Sequence, residues 1–87
     1  MRRIFVEQME KCGYTILVES DEEEVDIVAD LVCEKFPNTE VCCLKDVCVM
    51  YRTEEGKQAC KMFLEERAKR MKELLQRYDV AISHMEN

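Results

Sequence analysis

Two short apolar runs near the middle of the chain predict a β-hairpin. Valine, cysteine, leucine, methionine and tyrosine fill positions 41–44 and 47–51, and their spacing shows no helical periodicity. The charged pair Lys-Asp at 45–46 separates the runs, and a loop of either two or four residues gives the same register. In that register Cys43 lies opposite Cys48, and Val41 lies opposite Met50. The hairpin is then apolar on both faces, so each face needs a cover.

Amphipathic segments on either side of the hairpin predict two helices. The first spans about Asp21–Lys35, begins at a capping box opened by Ser20 and ends before Pro37. Its apolar stripe consists of Val25, Val28, Leu31, Val32 and Phe36. The second spans Glu54 to about Arg77 and is capped by Thr53. Its predicted buried stripe consists of Cys60, Phe63, Leu64, Met71, Leu74, Leu75 and Tyr78.

The outer segments predict further strands at Arg2–Gln8, Tyr14–Glu19 and Val80–Ser83. The full order is then ββαββαβ, and from Tyr14 onward it is the order of a ferredoxin-like split βαβ sandwich. We therefore expect a single α+β domain over residues 1–87, with an antiparallel sheet and both helices on one face. This order alone implies no function.

The expected architecture leaves one face of the sheet open. Because the hairpin is apolar on both faces, we predict that a partner chain covers the open face, most simply a second copy, since two-fold dimers are the commonest oligomers. The predicted dimer interface consists of Val41, Cys43, Cys48 and Met50. The alternative is a weakly apolar surface that stays exposed.

Composition and charge narrow the class of protein. The 87 residues are 47% hydrophobic and 37% charged, which is typical of a folded globular chain. The net charge is −6, which argues against direct binding to nucleic acid or to an anionic membrane. Glu7 interrupts the first apolar segment, so no signal peptide is expected, and no apolar run reaches the ~18–20 residues of a membrane span. The expected location is the cytoplasm.

The first predicted helix carries a row of carboxylates at i, i+4 spacing. Positions 19–34 hold eight acidic residues and no basic residue, and like charges at this spacing cost a few tenths of a kcal/mol per pair. Three interpretations stay open: a solvated face, neutralisation by the basic residues of the second helix, or docking on a basic partner protein. The docking hypothesis assigns partner binding to Glu22, Glu23, Asp26, Asp30 and Glu34. Such a protein could act as an inhibitor or a nucleic-acid mimic of phage type.

The six cysteines lie at positions 12, 33, 42, 43, 48 and 60, with no Cys-x-x-Cys pair and a single histidine, His84. This spacing predicts no metal site, and we interpret the cysteines as small buried hydrophobic residues. Cys42 and Cys43 are adjacent in a strand and point to opposite faces. Cross-strand neighbours such as Cys43 and Cys48 come within disulfide reach. That pair is the basis of an alternative function, a thiol-dependent metal-binding or redox protein.

The sequence predicts no catalytic residues, no cofactor and no enzyme activity. It contains no glycine-rich phosphate loop, His84 lies near the C-terminus, and Cys60 lies on the predicted core stripe. Basic residues of the second helix leave local nucleic-acid contact as a third option, although glutamates are interleaved among them. The leading hypothesis is a small acidic homodimer that binds another protein.

Overall fold

The chain folds into three helices and a three-stranded sheet. The computed structural model describes residues 2–18, 21–44 and 46–86. Its elements are α1 (Arg2–Cys12), β1 (Tyr14–Val18), α2 (Glu22–Lys35), β2 (Glu40–Leu44), β3 (Val47–Tyr51) and α3 (Glu54–Glu86). The sheet has the order β1-β3-β2, and β3 pairs with both neighbours in antiparallel fashion.

The central part of the sequence prediction is confirmed. The hairpin forms as β2 and β3, with Cys43 opposite Cys48 and Val41 opposite Met50. The first predicted helix forms as α2, and its N-cap is Asp21, whose side chain accepts a hydrogen bond from the Glu23 N–H at 3.0 Å. The predicted cap at position 20 and the first loop residue at position 45 lie outside the described residues.

The predicted strand at Arg2–Gln8 is wrong, because this segment belongs to helix α1. Phe5, Val6 and Met9 fall on one side of a helix and pack against the sheet, and Met9 is fully buried. Gly13 ends the helix at φ 73, and its N–H donates to the Met9 carbonyl at 3.0 Å. This is a common helix ending, in which glycine takes the left-handed conformation.

The predicted final strand at Val80–Ser83 is also wrong, because α3 continues through it to Glu86. Asp79 and the β-branched residues after it each cost at most about 0.7 kcal/mol in a helix, which is too little to end one. All residues from 68 to 86 are exposed, so no sheet contact competes with the helix there. We call residues 68–86 the α3 arm.

The ferredoxin-like fold is therefore a wrong prediction, and the observed order is α1-β1-α2-β2-β3-α3. Without the two outer strands the sheet has three strands, with β3 inserted between β1 and β2. The helices also lie on both faces: α1 and α2 cover one, and α3 covers the other. The face that was expected to be open for a partner, with Cys48 and Met50 on it, is covered at β3 by α1 and α2 of the same chain.

Two apolar clusters hold these layers together. One lies between the sheet and helices α1 and α2, and it consists of Met9, Leu17, Val28, Val32, Cys48 and Met50. The other lies under α3 and consists of Val47, Val49 and Cys60, with Tyr14, Ile16, Tyr51, Phe63 and Leu64 packed around it. Residues of β3 alternate between the two clusters, which explains why its sequence is apolar throughout. Edge strand β2, by contrast, is exposed along its whole length.

The molecule is elongated because α3 is much longer than the sheet. Its 33 residues span about 50 Å, and the principal extents of the chain are 57 × 27 × 17 Å. The radius of gyration is 16.5 Å, against about 12 Å for a compact chain of this length. None of the helices in the described ranges combines the length and apolar character that a bilayer crossing requires.

Candidate functional site

The acidic side of α2 is its solvent side. Val28 and Val32 turn the opposite side of the helix into the core and are at most 1% exposed. The carboxylates on the outer side all lie in solvent: Glu22, Glu23, Asp26, Asp30 and Glu34. We call these five residues the acidic face.

Among the residues that the structure describes, no ion pair joins the acidic face to the basic residues of α3. The described residues form ion pairs at Arg3–Glu7, Arg67–Asp46 and Arg70–Glu66, and none of these involves α2. The reason is architectural, because α2 and α3 pack on opposite faces of the sheet. Within residues 2–18, 21–44 and 46–86, nothing therefore supports the interpretation that the basic residues of α3 neutralise the carboxylates of α2.

A second candidate site is formed by two cysteines of the hairpin, which we call the thiol pair. The Sγ atoms of Cys43 and Cys48 lie 2.7 Å apart. Cys43 is exposed on edge strand β2, whereas Cys48 is 0% exposed on the central strand. Burial, the hydrogen bond with Cys43 and the charges of neighbouring thiols together raise the pKa of the Cys48 thiol from its ordinary 9.0 to about 12.

The interpretation of the cysteines as buried hydrophobic residues is confirmed for Cys48 and Cys60 only. Cys60 is 2% exposed, and burial raises the pKa of its thiol, which makes it a poor nucleophile. For Cys12, Cys42 and Cys43 the interpretation is wrong, since all three are exposed. Across the described part of the chain, no three or more Cys, His, Asp or Glu side chains converge in a way that could hold a metal ion.

The predicted dimer interface is divided by the fold. Cys48 and Met50 are both 0% exposed, because α1 and α2 cover that face of β3. Val41 is 40% exposed, and Cys43 is exposed beside it on the sheet edge. Contact with a second copy stays a prediction, and of these four residues only Val41 and Cys43 are accessible to one.

The sequence pattern misplaced the apolar stripe of the α3 arm. Met71, Leu75 and Tyr78 were expected in the core, but they are 57%, 62% and 66% exposed. A five-residue strand spans about 17 Å, which about eleven helical residues already match. The second helix was predicted to be much longer than the strands it packs on. This difference in length indicates that the helix must project beyond the sheet. His84, the only histidine, is exposed on the same arm.

Comparisons of the chain with models of protein families, with curated proteins and with solved structures gave no match. Function is therefore inferred from the exposed surfaces of the molecule.

Proposed function

We propose that this chain is a small homodimeric protein-binding module whose acidic face docks on a basic surface of another protein. The observation that supports this most directly is the exposed acidic face, which has no ion pair among the described residues. Acidic residues in the first helical turn are favoured by the helix dipole, but Asp26, Asp30 and Glu34 lie beyond it. Their mutual repulsion costs stability that interleaved charges would not.

The acidic face has properties suited to docking. Its carboxylates recur about every 6 Å along a helix whose other side is fixed in the core. A rigid row of charges loses little conformational entropy on binding, and complementary charge speeds association. Each exposed contact contributes roughly 0.2–1 kcal/mol, so several together are needed for a specific complex. A protein channel that binds nucleic acid is one class of basic surface with matching charge spacing.

The proposed contact with a second copy lies on the α3 arm, because helices of the same chain cover both faces of the central strand β3. Exposed apolar residues recur along the arm at helical spacing: Met71, Leu75, Tyr78, Ile82 and Met85. A stripe of this period is complementary to the same stripe on an identical helix, which buries both. Dimerisation would also present two acidic faces to one partner and strengthen binding through multivalency.

The test uses a labelled deca-arginine peptide as the basic probe and compares two triple variants. The first replaces Asp26, Asp30 and Glu34 of α2 by lysine. The control replaces Glu55, Glu65 and Glu73 of α3, which are also exposed, by lysine. Each triple adds six positive charges, so the net charge of −6 becomes zero in both.

We expect the α2 triple to weaken peptide binding at least tenfold more than the control triple, measured by fluorescence anisotropy at physiological ionic strength. Circular dichroism and the monomer–dimer equilibrium of each variant serve as controls for folding and assembly. Equal weakening by the two triples would mean that only net charge matters, and it would overturn the proposal.

A further inference from the structure

We propose that Cys43 and Cys48 form a dithiol–disulfide site that exchanges with small-molecule disulfides and fastens edge strand β2 to β3. The two residues are direct cross-strand neighbours, and their Sγ atoms are 2.7 Å apart. A disulfide bond is about 2.05 Å long, so the bond can form with almost no movement of the backbone. This site goes beyond the proposed docking function and does not depend on it.

The two thiols are placed for different roles. Cys43 lies on an exposed edge strand, where an external disulfide can reach its sulfur. Cys48 is 0% exposed, so an external disulfide does not reach its sulfur directly, whereas Cys43 Sγ is in contact with it. Burial also raises the pKa of Cys48, which keeps it protonated until a reaction partner is adjacent. Cys43 is therefore the attacking thiol and Cys48 the resolving thiol.

The exchange proceeds in two balanced steps. The Cys43 thiolate attacks one sulfur of the small disulfide, the S–S bond breaks, and one small thiolate leaves with the bonding electron pair. Cys48 sulfur then attacks Cys43 Sγ in the mixed disulfide, and the second small thiolate leaves, taking the proton that Cys48 loses. Two protein thiols are oxidised to one disulfide, and one small disulfide is reduced to two thiols. The second step is fast because the resolving sulfur is already in contact.

The geometry favours this pair over the other cysteines. Cys42 pairs opposite Val49 and therefore lies on the other face of the sheet from Cys43. Cys12 is exposed at the end of α1, far along the chain from the hairpin. Cys33 of α2 is half-buried and adds a small electrostatic contribution to the raised pKa of Cys48, so it is the competitor that peptide mapping must exclude.

The bond would act on the least supported part of the sheet. All five residues of β2 are exposed, and in the sheet this strand pairs with β3 alone. Such edge strands open readily, because few apolar contacts hold them in place. A covalent link between Cys43 and Cys48 would keep β2 paired during these openings.

The experiment equilibrates the reduced full-length protein with mixtures of glutathione and glutathione disulfide. The products are measured by intact mass and by peptide mapping without reduction. Trypsin cleaves after Lys45, so a link between the two strands joins two peptides. Cys43→Ser tests the attacking thiol and leaves the core unchanged, since Cys43 is exposed. Cys42→Ser is the matched control, because it removes a neighbouring exposed thiol from the same strand.

We expect each chain of the wild type and of Cys42→Ser to lose two hydrogen atoms, with Cys43 and Cys48 linked and no disulfide between chains. We expect Cys43→Ser to lose this species entirely. The proposal would be overturned by a disulfide bond to Cys33 or by loss of two hydrogen atoms in Cys43→Ser. It would also be overturned by a stable mixed disulfide with glutathione that does not go on to form the Cys43–Cys48 bond. Hydrogen exchange tests the effect on the strand. Those amides of β2 that donate to β3 should exchange at least tenfold more slowly after oxidation, and unchanged rates at these amides would overturn the fastening role.

Discussion

At the scale of single residues, two glycines, Gly13 and Gly56, allow a close approach between separate parts of the backbone. A Cβ atom added to Gly56 would lie 2.7 Å from the Gly13 carbonyl oxygen and 3.0 Å from the Tyr14 Cβ. The same carbonyl accepts a hydrogen bond from the Arg52 N–H at 2.8 Å. The turn after α1, the end of β3 and the start of α3 therefore meet at one corner, where a side chain at position 56 does not fit.

Replacing Gly56 by alanine should destabilise the protein. In an ordinary helix this change stabilises by roughly 0.5–1 kcal/mol, because it removes glycine's conformational entropy. Here the added methyl group meets the backbone carbonyl oxygen of Gly13, and we expect a loss of about 1–3 kcal/mol in the free energy of unfolding. Urea denaturation measures the difference.

Lys57→Ala is the control for Gly56→Ala, since Lys57 is the next residue of the helix and is exposed. It should change the unfolding free energy by less than about 0.5 kcal/mol. A Gly56→Ala variant as stable as the wild type would show that the corner can widen without cost.

At the scale of single elements, the sequence predicted those parts whose signals are local and unambiguous. The hairpin register follows from apolar runs on either side of a charged pair, and α2 follows from its apolar period and its Pro37 stop. Helix α1 was missed because Ile4-Phe5-Val6 has strand-like composition. The better signal was the Phe5–Met9 spacing ahead of Gly13, which is typical of a helix with a glycine ending.

The charge row of α2 predicts that a single substitution will strengthen this helix. Asp30 has a like charge one turn before it at Asp26 and one turn after it at Glu34. Asp30→Lys turns both repulsions into attractions and also replaces aspartate by a better helix former. We expect the free energy of unfolding to rise by about 0.5–1 kcal/mol at low salt, and by less at 1 M salt, where charges are screened. Thermal and urea unfolding at both salt concentrations provide the measurement.

Glu23→Lys is the opposing control for Asp30→Lys. Glu23 lies in the first turn of α2, where the helix dipole favours a negative charge. The same change of charge should therefore lower stability at this position. Stabilisation by both variants would show that the net charge of the protein, and not the local row, determines the effect.

At the scale of the whole molecule, the sequence could not determine which face of the sheet each helix covers. The apolar pattern required a cover on both faces of the hairpin. Helices of the same chain cover both faces of β3, whereas β2 is exposed along its whole length. That choice depends on the path of the chain between elements, which leaves no periodic signal in the residues. The thiol pair was predictable because it depends only on the local register.

The assembly prediction concerns the α3 arm. Leu75→Glu with Tyr78→Glu places two charges in the centre of the apolar stripe, where a second copy would have to bury them. We expect the dissociation constant of the dimer to rise at least 100-fold, which corresponds to about 2.7 kcal/mol. Native mass spectrometry over a range of protein concentrations measures it.

The control for the arm variant is Gln76→Glu with Ser83→Glu, which adds the same charge on the side of the helix away from the stripe. It should leave the dissociation constant within about threefold of the wild type. The α3 arm would be excluded as the dimer contact if the wild type stays monomeric at high concentration. It would also be excluded if both double variants weaken the dimer equally.

The length of α3 also has a consequence for how a single copy rotates in solution. The helix lies along the 57 Å dimension of a chain that is 27 and 17 Å across. Its amide N–H bonds run parallel to the helix axis, so only slow end-over-end rotation reorients them. An N–H bond that points across that axis is also reoriented by the faster rotation about it. Nitrogen-15 relaxation should therefore give larger transverse rates along α3 than at amides whose N–H bonds point across the long axis.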